Sequence, residues 1–413
     1  MWRRMFDSQG KDIGNNVGFF STLRTDHRPT VMVELLTTSF QPVEGGTIFS
    51  ADRSNELTNF ITDGNIDVDA SRGIRRTAEL TLLNPTSEFT PATQDFESEG
   101  PWVGMIYLNR MLRVYRGVYV DDNPIYVPVG TFFVDIAEVI AEQNMSLVNL
   151  TLSDRWKMLN KSIFGSQRVY EANTPYNEII RDTIDAAGVP MHGKWGAVID
   201  TLGDRPNDEK RIQKKLKFDR GSNRGDELKR LCRKWDIDAF FDPMGVFRTE
   251  DRLDSRSKKE EWHYYSSDKH DGMIISLTRE FSDDNLYNHV IIIGTGDKKG
   301  VVRATRADNN PKSKTKIDLI GDRVFFKETD QISTQAEANK VLKRAWEKRF
   351  SLIETINLKA IANPALEADD IVRVTERDFI KIDERYRLDR FNVPLITGAQ
   401  DLEMDAIIRR DDL

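Results

Sequence analysis

The sequence predicts a β-rich α+β protein, with β-rich sections at residues 29–164 and 271–413 around an inserted α+β section at 165–270. Two observations carry this. Alternation of apolar and polar residues dominates the outer sections, and a helical spacing of apolar residues governs most of the middle. A short N-terminal arm, residues 1–28, is polar around the small apolar patch Val17–Phe20.

In the first β section, β-branched and apolar residues mark a strand at Thr30–Leu36. Gly64–Asp69 alternates through Ile66 and Val68, and Arg75–Leu83 through Ala78, Leu80 and Leu82. Asn84-Pro85 stops that strand, since proline cannot donate to a ladder. After an excursion over Thr86–Pro101, strands resume at Met111–Val120, Val129–Val139 and Met145–Ser153, the last two joined as a hairpin. Asp154–Leu159 reads as a brief helical turn. In the middle section, Thr174 is an expected N-cap with Pro175 at the first helical position. Tyr176, Ile179, Ile180, Thr183, Ile184 and Ala187 follow at helical spacing, and Gly188 is the expected C′ residue. A second helix over Gly225–Trp235 leads into Ile237–Phe241, the turn Asp242–Gly245 and Val246–Thr249. In the last section, strands are expected at Met273–Thr278 and at a central His289–Ile293, and the long polar section Gly294–Asp330 shows little periodicity beyond Val301–Ala304 and Val324–Phe326. A capping box, Thr334–Glu337, opens an amphipathic helix. Further strands follow at Leu352–Ala360, Ile371–Thr375, Tyr386–Arg390, Val393–Thr397 and Leu402–Ile408.

The two β sections share an order of events. Leu83-Asn84-Pro85, Leu112–Tyr115, Phe132–Val139 and Ser146–Asp154 are matched by Ala362-Asn363-Pro364, Val372–Thr375, Tyr386–Arg390 and Leu402–Arg409. Two copies of one β-module account for this order. So does a common strand stop repeated by chance.

Composition narrows the function. The chain has 413 residues, 60 Lys plus Arg against 67 Asp plus Glu, a net charge of −7 and one Cys. No apolar run approaches the ~20 residues of a membrane span, and a charge interrupts the N-terminus before a secretory signal develops. One Cys forms neither an intrachain disulfide nor a Cys-based zinc site. Net acidity argues against a dedicated duplex-DNA reader.

Enzyme motifs are largely missing. There is no His-Glu-x-x-His, no Gly-x-Ser-x-Gly and no Walker A; Gly294–Gly300 reads as a turn. Cys232 sits at an apolar helix position beside Leu228 and Leu231, which favours a buried inert thiol over a nucleophile. His289 reads as structural. The acidic pairs Asp121-Asp122, Asp283-Asp284, Asp369-Asp370 and Asp411-Asp412 suit turns better than a two-carboxylate cleft or a calcium loop. The basic stretches 210–217 and 298–316 lack interleaved aromatics and read as solvated loops or as contacts to an acidic protein. No catalytic, cofactor-binding or metal-binding residue is assigned, and no cofactor is expected.

Several phrases resemble bacteriophage tail hub proteins. They are Val129-Gly130-Thr131-Phe132-Phe133-Val134-Asp135; Leu150–Leu159 with its Asp154-Arg155; the helix ending Ala186-Ala187-Gly188; Asp238-Ala239-Phe240-Phe241-Asp242-Pro243 followed by Gly245 and Phe247-Arg248; Tyr287-Asn288-His289-Val290 with Gly294; and Pro364–Val372. The resemblance spans roughly residues 29–409 and rests on the order of loose motifs. It implies two tube-type β-barrel domains flanking an insert. It further implies a homotrimeric ring of six barrels at the tail tip or baseplate, which joins the tail tube to the tip around the DNA path. Implied partners are a distal tail protein or tail tube ring, a tape measure protein, and tip or fibre proteins, within a virion assembled in the host cytoplasm. Other readings are a tail-associated cell-wall hydrolase or endopeptidase, and a receptor- or carbohydrate-binding module using Trp102 and Trp262.

Overall fold

A computed structural model describes residues 4–7, 11–14, 16–25, 27–50, 59–91, 104–143, 145–200, 210–212, 214–235, 237–251, 258–266, 272–283, 286–295, 301–329, 332, 334–349, 353–396 and 398–406. The chain divides into two compact units, Met1–Leu277 with Asn357–Glu403, and Thr278–Ile356 with Met404–Leu413. The first unit opens with α1 (Val17–Thr22), β1 (Pro29–Leu36), β2 (Pro42–Ser50), β3 (Asn59–Asp69), β4 (Arg76–Leu83), β5 (Met111–Val120), β6 (Asn123–Glu142) and β7 (Met145–Asp154). The α+β segment follows as α2 (Trp156–Lys161), β8 (Arg168–Tyr170), α3 (Tyr176–Asp185), β9 (Val198–Ile199), β10 (Leu216–Phe218), α4 (Arg224–Trp235), β11 (Ile237–Phe241), β12 (Phe247–Asp251) and β13 (Glu260–Tyr265). β14 (Ile274–Ser282) runs on into the second unit, with β15 (His289–Gly294), β16 (Val302–Ala307), α5 (Ile317–Ile320), β17 (Val324–Thr329) and α6 (Gln335–Arg349). The chain returns through β18 (Ile353–Ala360), β19 (Ile371–Glu376), β20 (Ile382–Pro394) and β21 (Gln400–Ala406).

The β-rich α+β class expected from the sequence is the class observed. The first seven strands pair in the order β3-β2-β1-β5-β6-β7-β4, and β4 pairs back onto β3, which closes a ring of strands. Closure leaves a sheet few free edges. Alternation does what period two requires: β4 turns Ala78, Leu80 and Leu82 to the core, opposite the buried Leu152, Leu150 and Val148 of β7. The later strands run β14-β18-β21-β20-β19-β13, matching β3-β4-β7-β6-β5-β1 position for position. The two Asn-Pro strand stops match as well. Asn84 and Asn363 are both buried, and each Oδ1 accepts a downstream backbone N–H, from Phe89 at 2.9 Å and from Ala365 at 3.0 Å. The copies are not identical, since β1 is antiparallel to β5 whereas β13 is parallel to β19.

Other expectations shift in detail. Helix α3 begins at Tyr176 with Pro175 as N-cap; the Thr174 hydroxyl turns back to the Glu171 carbonyl at 2.7 Å, so Thr174 is not the cap. β20 is one strand through Tyr386–Pro394 rather than two. β2, β8, β9, β10 and β13 were not anticipated. The N-terminal arm packs on the first ring: Phe6 pairs with Tyr126 and packs edge-on to Tyr115, while Phe19 is fully buried.

The α+β segment has its own core around Trp156, Ile180, Leu228, Cys232, Phe241 and Phe247. Its β11–β12 turn is held by three side chains of the first β section. Thr131 Oγ1 donates to Pro243 O at 2.9 Å, Arg113 Nη2 to Met244 O at 3.3 Å, and Arg155 to Gly245 O. Gly245 has φ +80°, and a Cβ there would lie 3.0 Å from Thr131, so this turn requires glycine. In the second unit, Val290, Ile292 and Ala304 pack with Ile332, Ala338 and Trp346 around a β16-β15-β17 sheet, with β15 central as expected.

Two consecutive arginines tie three segments of the first unit together. Arg75 donates to Asp238 of β11 at 3.0 Å, to the Ala368 carbonyl at 2.8 Å and to Asp369 at 3.1 Å, and it lies over the Phe240 ring. Arg76 donates to the Phe241 carbonyl at 2.7 Å and to Glu367, and its backbone N–H reaches Asp154 at 2.9 Å. Both side chains are buried. Removing one partner from such a pair strands the other charge away from water, which costs about 3–5 kcal/mol. Arg75→Met is therefore expected to lower the urea unfolding free energy by about 3 kcal/mol.

Asp154 supplies a pH signature. Burial pushes its carboxyl up to about 6, against the pull of N–H bonds from Arg76 and Trp156. The folded pKa exceeds the unfolded value of about 3.9. This group's stabilising contribution is thus complete below pH ~4 and is lost as pH rises through 6. Between pH 4 and 7 wild type should lose on the order of 2–3 kcal/mol relative to Asp154→Asn, read from urea midpoints of both proteins across that range.

Candidate assembly interface

Among the described residues, the two β sections meet along one strand-to-strand seam inside the first unit. The end of β20 runs antiparallel to the end of β3, pairing Arg390 with Asp69, Phe391 with Val68, Asn392 with Asp67, Val393 with Ile66 and Pro394 with Asn65. Backbone bonds extend it at both ends, from Ala70 N to Asp389 O at 3.0 Å and from Leu395 N to Gly64 O at 2.9 Å. Arg116 of β5, buried in the first section, donates through Nε to the Pro394 carbonyl at 2.8 Å. Burial pushes its guanidinium down to about 10, so it still carries its charge at neutral pH.

Two strands that correspond to the seam strands keep an open edge. β6 pairs β5 only as far as Phe133; from Ile136 to Glu142 its sole strand partner among the described residues is β7. Ile136 is 58% exposed, and Val139 and Met145 are exposed nearby. β14 pairs only with β18 among the described residues and exposes Ile275 and Phe281.

The residues weighed for chemistry are dispersed. Cys232 is buried in the α4 core, and burial pushes its thiol up to about 12. Asp121 and Asp122 form the β5–β6 turn, both with positive φ. Asp283 binds Arg323 at 2.6 Å, Asp369 binds Arg75, and Asp370 accepts the Glu367 N–H at 2.8 Å. Asp284, Asp411 and Asp412 lie outside the described residues, as do Trp102 and most of Gly294–Gly300. Trp262, weighed for sugar stacking, is buried beneath Phe20 and Arg24 of the arm and is not a surface platform. In the basic stretches, Arg211 caps the Asn173 carbonyl at 2.8 Å, Lys215 pairs with Glu171 at 2.8 Å, and Arg306 lies over the Trp346 ring.

His289 stands between Asp322 (Nδ1 to Oδ1, 2.9 Å) and Thr305 (Nε2 to Oγ1, 3.0 Å). That is the order of acid, imidazole and hydroxyl in a hydrolytic triad. Here the hydroxyl is a β-branched residue on the ladder strand β16, and the trio fastens the β15–β16 pair to the turn before β17. The sequence reading singled out none of Arg75, Arg76, Arg113 and Arg116. Phase is the signal for two of them, since Arg76 and Arg116 continue the apolar stripes Ala78-Leu80-Leu82 and Leu112-Val114, whereas Arg75 and Arg113 fall out of phase.

The fold is that of phage tail proteins. No family model matches the chain, and no curated protein matches it in sequence. Among solved structures it resembles the tail protein from Neisseria meningitidis MC58, with TM-score 0.62 and 13% identity over 92% of this chain and 97% of that one. The 43 kDa tail protein of prophage MuSo2 from Shewanella oneidensis gives 0.57 and 12% over 92% and 99%. Prophage tail protein gp18 from Listeria monocytogenes EGD-e gives 0.51 and 9% over 91% and 94%.

Because Cys232 is packed rather than poised, a maleimide should label the native protein at least ~100-fold more slowly than the urea-unfolded chain, as followed by intact mass.

Proposed function

We propose that the protein is a structural hub of a phage tail tip or baseplate. Three copies would close into a ring of six β-modules that joins the tail tube to the tip. The observation that carries this reading is the matched strand order of the two β sections joined side by side at the β3–β20 seam. A chain with two like modules lets a threefold assembly present six nearly equivalent positions. In this reading residues 29–164 and 271–413, the latter completed by β13, are the tube-type modules, and the rest of 165–270 is an insert anchored by Arg75, Arg76, Arg113 and Arg155.

The hub's work is geometric, and no residue is given a catalytic role. Its neighbours would be a tail tube or distal tail ring on one side, tip or fibre proteins on the other, and a tape measure protein. The net charge of −7 suits a passage that DNA traverses without adhering. The deeply buried arginines fit this reading too, since a ring under mechanical load needs its modules fixed to one another.

Light scattering of the purified full-length protein, across a concentration series, tests the reading. A mass of three chains is expected. A strict monomer at every concentration contradicts it.

A further inference from the structure

The strand correspondence makes a sharper statement about how copies meet, one that rests on the ring reading. Within one chain the seam joins β3 to the far end of β20. In the matched order, β14 stands where β3 stands, and β6 stands where β20 stands. The pairing registers align the two hairpins. β19 begins at Ile371 opposite Arg387, and β5 begins at Met111 opposite Phe133. Arg387 thus corresponds to Phe133, and the seam residues Arg390–Pro394 correspond to Ile136–Ile140.

Ile136–Ile140 is the stretch of β6 that outruns β5 and keeps an open edge among the described residues. The other expected half of the seam, β14, likewise shows no second strand partner there. An open edge of this length invites strand addition, and both edges carry exposed apolar side chains: Ile136 and Val139 on β6, Ile275 and Phe281 on β14.

We propose that the β6 edge at Ile136–Ile140 pairs antiparallel with the C-terminal half of β14 in a second copy of this chain, repeating between copies the seam that β20 and β3 form within one. Every copy has one such edge of each kind, so the contact is head-to-tail and closes when the rotation allows. Three internal seams then alternate with three between copies. It also explains why β6, at 20 residues, is twice the length of β5, at 10.

The test is a disulfide scan on the full-length protein. Glu138→Cys is combined in turn with Leu277→Cys, Thr278→Cys and Glu280→Cys; Cys232 is buried and does not compete. At least one pair should give, on oxidation, covalent trimers that resist denaturing gels, and neither parent with one added cysteine should. Ile136→Lys with Val139→Lys, both at exposed positions, should shift the mass from three chains to one with an unchanged circular dichroism spectrum. If wild type is trimeric but no pair cross-links between copies, or the double Lys protein stays trimeric, the strand assignment is wrong while the ring stands. If wild type is monomeric throughout, the ring reading itself fails and the assignment falls with it.

Discussion

The first unit depends on a pair of adjacent buried cations. Arg75 and Arg76 reach in one place to the insert, through Asp238 and the Phe241 carbonyl, and to the later β section, through Glu367, Ala368 and Asp369. Guanidinium suits this position because it stays charged when buried and offers five donors in a planar fork. Burying it is expensive, and the cost is offset only because most donors find a carboxylate or carbonyl with good geometry. The arrangement is intolerant of partial loss, as a coupling between modules requires. The β11–β12 turn, seated on Thr131, Arg113 and Arg155, adds a second fastening some residues away, with Gly245 allowing the close approach.

Beside these fastenings lies the seam, where the two β sections pair strand to strand. Strand pairing fixes direction and register together, because a one-residue slip reverses which side chains face the core. A seam of five paired residues thus sets the angle between the two β sections more tightly than a side-chain contact could. Arg116, anchored to the Pro394 carbonyl, ties the seam to the interior of the first section. One strand order used twice places two similar sets of strands side by side, joined inside the chain at this seam.

Much of this was legible in the sequence, for identifiable reasons. Ala78-Leu80-Leu82 gave a strand because its apolar period is two, and Tyr176–Ile184 gave a helix because its period is 3.6. Asn84-Pro85 and Asn363-Pro364 flagged the repeat because the same buried asparagine turn ends the same strand in each copy. β2 escaped notice because Glu44-Gly45-Gly46 interrupts its alternation, and β13 because its parallel partner β19 lies more than 100 residues on. Two strands were expected at Tyr386–Arg390 and Val393–Thr397 where β20 runs on through Asn392, whose side chain accepts the Asp401 N–H while its backbone stays in the ladder. Trp262 looked available because nothing in its own segment shows that the N-terminal arm covers it. The arginine junction was hidden for the same reason: its partners are over 160 residues away, and only the phase of Arg76 in an apolar stripe hints at burial.

The proposed ring repeats between copies the seam that β20 and β3 form within one chain. Electron cryomicroscopy of the purified full-length protein, at a resolution that separates strands, tests this most directly. A threefold ring of six β-modules is expected, in which the sheet runs unbroken from β6 of one copy into β14 of the next. A map of isolated chains, or of a ring whose copies touch through other surfaces while β6 ends free in solvent, would contradict it.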